Sequence, residues 1–252
     1  MTGEEAADRT VLAITGADRV KFLQGLVTND ITAPEGRLVY AAMLTPQGKY
    51  LADFLLSARD DTILLDVRAD IAEALARRLS LYKLRADVRI APAGLHVHRG
   101  LGEPPEGALP DPRHASLGWR AYAGTPGTAP AIDWDRIRVA ECIPETGIEL
   151  IPEESYILEA GFERLNGVDF RKGCYVGQEV TARMKHKTEL RKGLATVGVE
   201  GSAPPGTPIE AGGKEAGRLF TQAGDLAIAY LRFDRVAPRM TAGAATVLWP
   251  DG

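Results

Sequence analysis

A chain of 252 residues, 45% hydrophobic and 25% charged, is long enough to bury a sizeable core in one large or two to three small domains. Its net charge of -4 gives no reason to expect bulk binding to nucleic acid or to an anionic membrane. Two cysteines without a CxxC pair exclude a disulfide scaffold and fall short of the roughly four thiolates a conventional iron–sulfur cluster needs, so no resident metal is expected.

The opening residues, MTGEEAADRT, are polar and acidic. They lack the basic start and apolar run of a signal peptide, and no later stretch approaches the roughly 20 apolar residues of a membrane span, so cytoplasm is the expected compartment. GADRVKFLQGLVTNDI reads as a helix, with Asp18 as N-cap, Val20, Leu23 and Leu26 at helical spacing, and Thr28-Asn29-Asp30 as its stop. Next comes RLVYAAMLTPQGKYLADFLLSARDDTILLDV, three apolar runs separated by Pro46-Gln47-Gly48 and Asp60-Asp61, which reads as a β meander. Asp70 to Leu84 is the clearest helix: Ile71, Leu75, Leu79 and Tyr82 form an apolar stripe, and Asp70 with Glu73 resembles a capping box. ADVRIA adds a strand. Strands, a helix and a strand imply an α+β unit whose sheet carries a helix on one face.

From Gly94 to Pro130 the chain is rich in Gly and Pro, which predicts loops and short strands. His96 and His98 alternate on such a strand, and no neighbour supplies further metal ligands. AIDWDRIRVAECIP suits a short helix before Pro144. After Arg191 the pattern becomes KGLATVGVE, TPIEA, EAGRLFTQ, DLAIAYLRF and ATVLWP, short strands cut by turns that predict a small barrel.

Between these regions stands RKGCYVGQE, Arg171 to Glu179. A helix from Tyr175 to about His186 would place Val176, Val180 and Met184 on one stripe, and Cys174, Gln178, Thr181 and Lys185 on the opposite one. On that geometry Cys174 sits at a helix N-terminus behind Arg171 and Lys172, where positive charge favours a thiolate. Gly173 and Gly177 allow close backbone approach, and Glu179 can pair with Arg183. The alternative is a small apolar filler in a tight turn. Cys142 reads as a packing residue.

KGCYVGQE followed by ARMKHKTELRKGL resembles the signature of the YgfZ-type folate-binding proteins, relatives of the glycine-cleavage T-protein that act in iron–sulfur cluster assembly and repair. FLQGLVTND, LTPQGKYLADFLL, Ile143-Pro144, Pro152 to Glu154 and DLAIAYLRFD agree in order, so the resemblance covers almost the whole chain. It implies a three-domain ring: a folate-binding region over 1–190 with a ferredoxin-like subdomain inserted at about 37–92, then a β-barrel over 191–252. It implies tetrahydrofolate as ligand, iron–sulfur client or assembly proteins as partners (among them radical-SAM tRNA-modifying enzymes), and Cys174 as the functional thiol. Cofactor-binding positions carried over are Asp53, Lys172, Gly173, Tyr175, Gln178, Glu179 and Arg183. A pterin offers adjacent N–H donors that a carboxylate can accept in pairs, and its glutamate tail suits cations. Asp53 is the carboxylate expected there; a polar strand residue facing solvent is its other reading. The T-protein carries two adjacent aspartates where this chain has Ala52-Asp53, and RVAECIP puts Glu141-Cys142 where family members have Ala-Gly. A folate-dependent aminomethyltransferase and a pure interaction module remain as alternatives. Cys174 itself could be a transient cluster ligand, a thiol-exchange nucleophile or a one-carbon acceptor.

Overall fold

The structure, a computed structural model, describes residues 3–186 and 189–249. Met1, Thr2, Lys187, Thr188 and residues 250–252, which belong to several of the stretches quoted above, lie outside the described residues. The chain forms two compact units, Met1–Ile132 with Glu163–Gln178, and Asp133–Phe162 with Glu179–Gly252.

The first unit runs β1 (Glu4–Glu5), β2 (Arg9–Thr15), α1 (Arg19–Gln24), β3 (Val39–Leu44), β4 (Tyr50–Arg59), β5 (Thr62–Arg68), α2 (Ala69–Tyr82), β6 (Arg89–Pro92), β7 (His96–Gly100), β8 (Leu109–Pro110) and β9 (Trp119–Ala123). An antiparallel sheet has the order β3-β4-β5-β2-β6, and a second one β1-β7-β9-β8. Because side chains alternate across a strand, each strand of the larger sheet divides its residues between two faces. Val39, Ala41 and Met43, Phe54 and Leu56, and Ile63, Leu65 and Val67 share a core with Leu23 of α1 and Leu75 and Leu79 of α2. The opposite face carries Tyr40, Asp53 and Asp66, and it is covered too: all six residues of β3 are buried. A sheet covered on both faces explains why VYAAML reads as a continuous apolar run without alternation.

The meander, the helix and the following strand are where the sequence places them. β2, from TVLAIT, was not foreseen, yet it lies between β5 and β6 inside the sheet. Several local expectations are corrected. α1 ends at Gln24, before Thr28-Asn29-Asp30, and the Asp18 side chain accepts the Asp87 N–H (2.8 Å) instead of capping the helix. The Asp70–Glu73 capping box does not form. Arg68 occupies the cap position, its guanidinium donates to both Asp70 oxygens (3.1 and 2.8 Å), and Glu73 pairs with Arg77. Those guanidinium bonds take the carboxylate a capping box would need. Tyr82, expected on the buried stripe, is exposed; Ala72, Leu75 and Leu79 are the buried residues of α2.

The second unit contains α3 (Trp134–Ala140), α4 (Gln178–Lys185, whose first residue clusters with the first unit), β10 (Lys192–Glu200), β11 (Pro208–Ala211), β12 (Lys214–Ala223), β13 (Leu226–Arg232), β14 (Arg239–Ala242) and β15 (Ala245–Leu248). The six strands close into a barrel in the order β10-β13-β12-β11-β14-β15. Its interior interleaves large residues (Val197, Ile209, Leu219, Leu231, Val247) with small ones (Ala216, Ala227, Ala229, Ala242), which is how a narrow barrel fills without voids. The sequence pattern supplied five of these strands and missed β14, whose RMTA has too few apolar residues to stand out. Asp133 caps α3 by accepting the Arg136 N–H (3.0 Å), and Thr196 donates to the Val139 carbonyl (2.7 Å), tying that helix to β10.

Candidate functional site

The loop that presents Cys174 is fixed by its neighbours on both sides. Lys172 Nζ donates to the carbonyls of Gln24 and Val27, each at 2.6 Å, so the ammonium satisfies acceptors at and just beyond the end of α1, where cations are favoured. It also lies 5.1 Å from the centre of the Tyr175 ring. Burial pulls the Lys172 pKa down to about 8, against the opposing pull of Asp30 and Asp169. Gln24 links the same elements: its side-chain amide donates to Asp30 (2.9 Å) and, at 3.4 Å, to the Lys172 carbonyl. Downstream, Val176 N–H donates to the Gly25 carbonyl (3.3 Å).

Gly177 explains the second glycine of the octet. Its φ is +84°, and a Cβ there would stand 2.6 Å from the Thr45 carbonyl oxygen, in the turn joining β3 to β4. Both facts demand glycine. Gly177→Ala should therefore lower stability by about 1–3 kcal/mol and shift the denaturation midpoint accordingly. Gly173→Ala, at φ +96° but with nothing within 4 Å of its Cβ, should show the smaller loss. Equal losses at the two sites would mean that the close approach to Thr45 contributes nothing.

Held this way, Cys174 is exposed, Tyr175 is buried and Lys172 is half-buried. The helical geometry expected around the cysteine is corrected. α4 begins at Gln178, so Cys174 precedes the helix by four residues and does not occupy its N-terminus. The glycine at 177 in left-handed backbone is the reason the helix cannot start earlier. The opposed stripes fail with it: Val180 and Met184 are half-buried, and Thr181, placed on the cysteine stripe, is the buried residue of α4. Glu179 and Arg183 are exposed and do not form the expected ion pair. Gln178 is half-buried.

Asp53 is not a solvent-facing strand residue. It is 5% exposed, on the sheet face opposite the helices, where Tyr40 donates to one carboxylate oxygen (3.0 Å) and Tyr50 to the other (2.7 Å). Register explains the first bond: Ala42 is opposite Asp53, which leaves Tyr40 diagonal to it on the same face. Burial and the adjacent carboxylate push the Tyr40 hydroxyl well above its ordinary pKa, so it stays a donor. The hairpin that carries Asp53 is also the one whose turn receives Gly177, which links the octet to this carboxylate through one element.

Beyond Asp53 the same face continues into a buried ionic layer. Asp66 accepts from Arg9, from Arg120 (3.0 Å) and from the Tyr122 hydroxyl (3.2 Å); Asp111 accepts from Arg113 (2.8 Å) and Arg120 (3.0 Å). The Arg113 guanidinium lies 5.6 Å from the Tyr40 ring, so the layer reaches the Asp53 pair. Burial alone would raise both carboxyls, but the surrounding guanidinium groups hold each below its ordinary value. Sequence reasoning missed this layer. Its one signal was Asp66 inside the apolar run TILLDV, because an aspartate in a strand buried on both faces must find partners.

Each unit contains a cavity. One of about 570 Å³ in the first unit is bounded by Asn29, Arg37, Asn166, Phe170 and Arg171. Another of about 1160 Å³, in the second unit beside Tyr156, Glu159, Phe220 and Tyr230, contains none of the expected site residues. Cys142 is half-buried in left-handed backbone just after α3. His96 and His98 bond to Glu5 (2.8 Å) and to the Thr125 carbonyl (2.9 Å), and among the described residues no group of three potential ligands is placed to hold a metal.

The architecture is of the glycine-cleavage aminomethyltransferase class. The crystal structure of glycine cleavage system aminomethyltransferase T from Bartonella henselae matches it with a TM-score of 0.74, over 97% of this chain and 83% of that one, at 13% identity. Residues 191–251 match the family model of the CAF17 C-terminal beta-barrel domain. The mitochondrial iron–sulfur cluster assembly factor IBA57 of Mus musculus is 32% identical over 90% of this chain and 76% of its own length; that of Homo sapiens is 30% identical over the same shares. The chain belongs to the IBA57 family of iron–sulfur cluster assembly factors. The YgfZ-type resemblance names a close, not exact, kin of this family, and the α+β fold with its terminal barrel is as expected. No helix among the described residues is long and apolar enough to cross a membrane.

Proposed function

We propose that the protein binds tetrahydrofolate and, through Cys174, supports the assembly or repair of iron–sulfur clusters on client enzymes, radical-SAM tRNA-modifying enzymes among them. The observation that carries the reading is an exposed thiol on a loop immobilised at Lys172 and at Gly177, in a chain of the IBA57 family. A thiol that only filled space would be buried. The cluster is cargo here, consistent with two cysteines on the chain.

The residues present fit a folate in two places. Asp53, whose two carboxylate oxygens are held in place by the Tyr40 and Tyr50 hydroxyls, is the carboxylate we assign to the paired N–H donors of a pterin. Arg37 and Arg171, at the cavity of about 570 Å³, suit the carboxylates of a glutamate tail. Tetrahydrofolate supplies a reduced pterin carrying one-carbon units; the chain's part is to bind and orient it. Two cysteines that form no disulfide fit a reducing compartment. We assign the cytoplasm, although the mouse and human relatives are named mitochondrial, and cell fractionation tests that assignment.

Tetrahydrofolate should raise the melting temperature with the logarithm of its concentration, by the equivalent of about 2.7 kcal/mol at a hundredfold excess over Kd. Arg37→Gln should weaken that response while leaving the ligand-free protein as stable, since Arg37 is exposed. A melting temperature indifferent to tetrahydrofolate removes the folate half of the proposal. Turnover of an aminomethylated carrier protein, insensitive to loss of the Cys174 thiol, would instead make the protein a transferase.

A further inference from the structure

The end of α2 presents a surface that the folding of this chain does not explain. The buried stripe of the helix, Ala72, Leu75 and Leu79, packs against the sheet, but Leu81 is 77% exposed and Leu84, just beyond the helix, is 90% exposed. Tyr82 stands between them at 37%. Leu84 also has φ +43°, left-handed backbone that a leucine adopts only under strain. A leucine that is both strained and in water lowers the stability of the free protein twice over.

The charges around it are mostly positive. Lys83, Arg85 and the exposed Arg89 of β6 make no ion pair among the described residues, and the nearby Asp87 carboxylate accepts the Ala17 N–H (3.2 Å). Cations near the C-terminal end of a helix favour its dipole, which accounts for Lys83. It accounts neither for Arg89, on another element, nor for the leucines. On a chain with a net charge of -4, this is a local basic patch with an apolar centre.

We propose that Leu81, Tyr82 and Leu84, framed by Lys83, Arg85 and Arg89, form a docking surface for an acidic, amphipathic segment of a partner protein. Apolar residues of that segment cover the two leucines, and its carboxylates meet the three unpaired cations. A membrane is the poorer occupant. Lying in a bilayer takes a long apolar helix face, and the apolar face of α2 is already turned to the sheet. The surface stands independently of folate binding and of Cys174, so either reading can fail without the other.

The test measures fluorescence anisotropy of a labelled helical peptide with leucines on one face and glutamates on the other, titrated with the full chain. The wild type should bind it, more weakly as salt is raised, and should ignore the same peptide with lysines in place of glutamates. The pair Leu81→Ser with Leu84→Gly should weaken binding at least about tenfold. Leu84→Gly alone should hold or raise the melting temperature, because glycine adopts a positive φ without strain, so lost binding cannot be blamed on misfolding. Lys83→Gln, Arg85→Gln and Arg89→Gln together should remove most of the salt dependence. Equal peptide binding by the wild type and the double variant would overturn the proposal. So would capture of the wild type by phosphatidylcholine–phosphatidylglycerol vesicles with the peptide left unbound.

Discussion

Asp66→Ala is expected to cost about 3–5 kcal/mol of folding stability, because it removes one member of a buried ionic layer and leaves the others in place. Asp66 is 0% exposed and receives Arg9, Arg120 and the Tyr122 hydroxyl. Without it, Arg120 keeps Asp111, while Arg9 loses its carboxylate and keeps its bond to the Asp66 main-chain carbonyl (2.8 Å). A buried guanidinium stripped of its counter-charge is among the costlier defects a fold can carry. Denaturant unfolding measures the loss, and a change below about 1 kcal/mol would show that water reaches the layer and replaces the carboxylate. The pH dependence provides a second readout. The folded pKa of Asp66 is lowered from 3.8: burial opposes ionisation, but Arg9 and Arg120 outweigh it. Its contribution is therefore complete above the unfolded value of 3.8 and is lost as pH falls from there through the folded value. Wild-type stability should fall in that acid window, and Asp66→Ala should flatten the fall.

Cys174→Ser should abolish function while leaving the fold untouched. The side chain is exposed, so exchanging sulfur for oxygen removes no core packing, and the melting temperature should move by less than the equivalent of about 0.5 kcal/mol. The loop geometry depends instead on Lys172, Gly177 and Val176, which the exchange does not alter. A hydroxyl is far less acidic and a poorer ligand for iron than a thiol, so every role open to Cys174 is lost at once. In a strain lacking the gene, the serine variant should accumulate normally yet leave cluster-dependent enzymes as inactive as the empty vector does. Full rescue by the serine variant would return Cys174 to an incidental surface residue. An unfolded variant would mean that the thiol packs, against its observed exposure.

The octet, the meander and the terminal barrel were legible in the sequence because each rests on local chemistry: glycine at strained backbone, apolar runs cut by turn residues, strands at short regular spacing. Tyr40, Asp53 and Asp66 were not legible as one face, because what unites them is strand register across the sheet and coverage by β9. A residue's alternation shows that strands have two faces; it does not say what covers the second. The helix at the octet began later than its apolar spacing suggested, since Gly177 turns the backbone left-handed where it meets the β3–β4 turn, a contact between residues more than a hundred positions apart. Lys172 is the sharpest case. Its position two residues before the cysteine suggested an electrostatic partner for the thiol, and tertiary structure turned its ammonium to the carbonyls at the end of α1 and just after it. By itself the sequence determined which residue could react and which family the chain resembles, for those depend on residue identity. Whether that thiol reaches solvent, and which charges face one another in the interior, was decided only when distant strands and loops packed together.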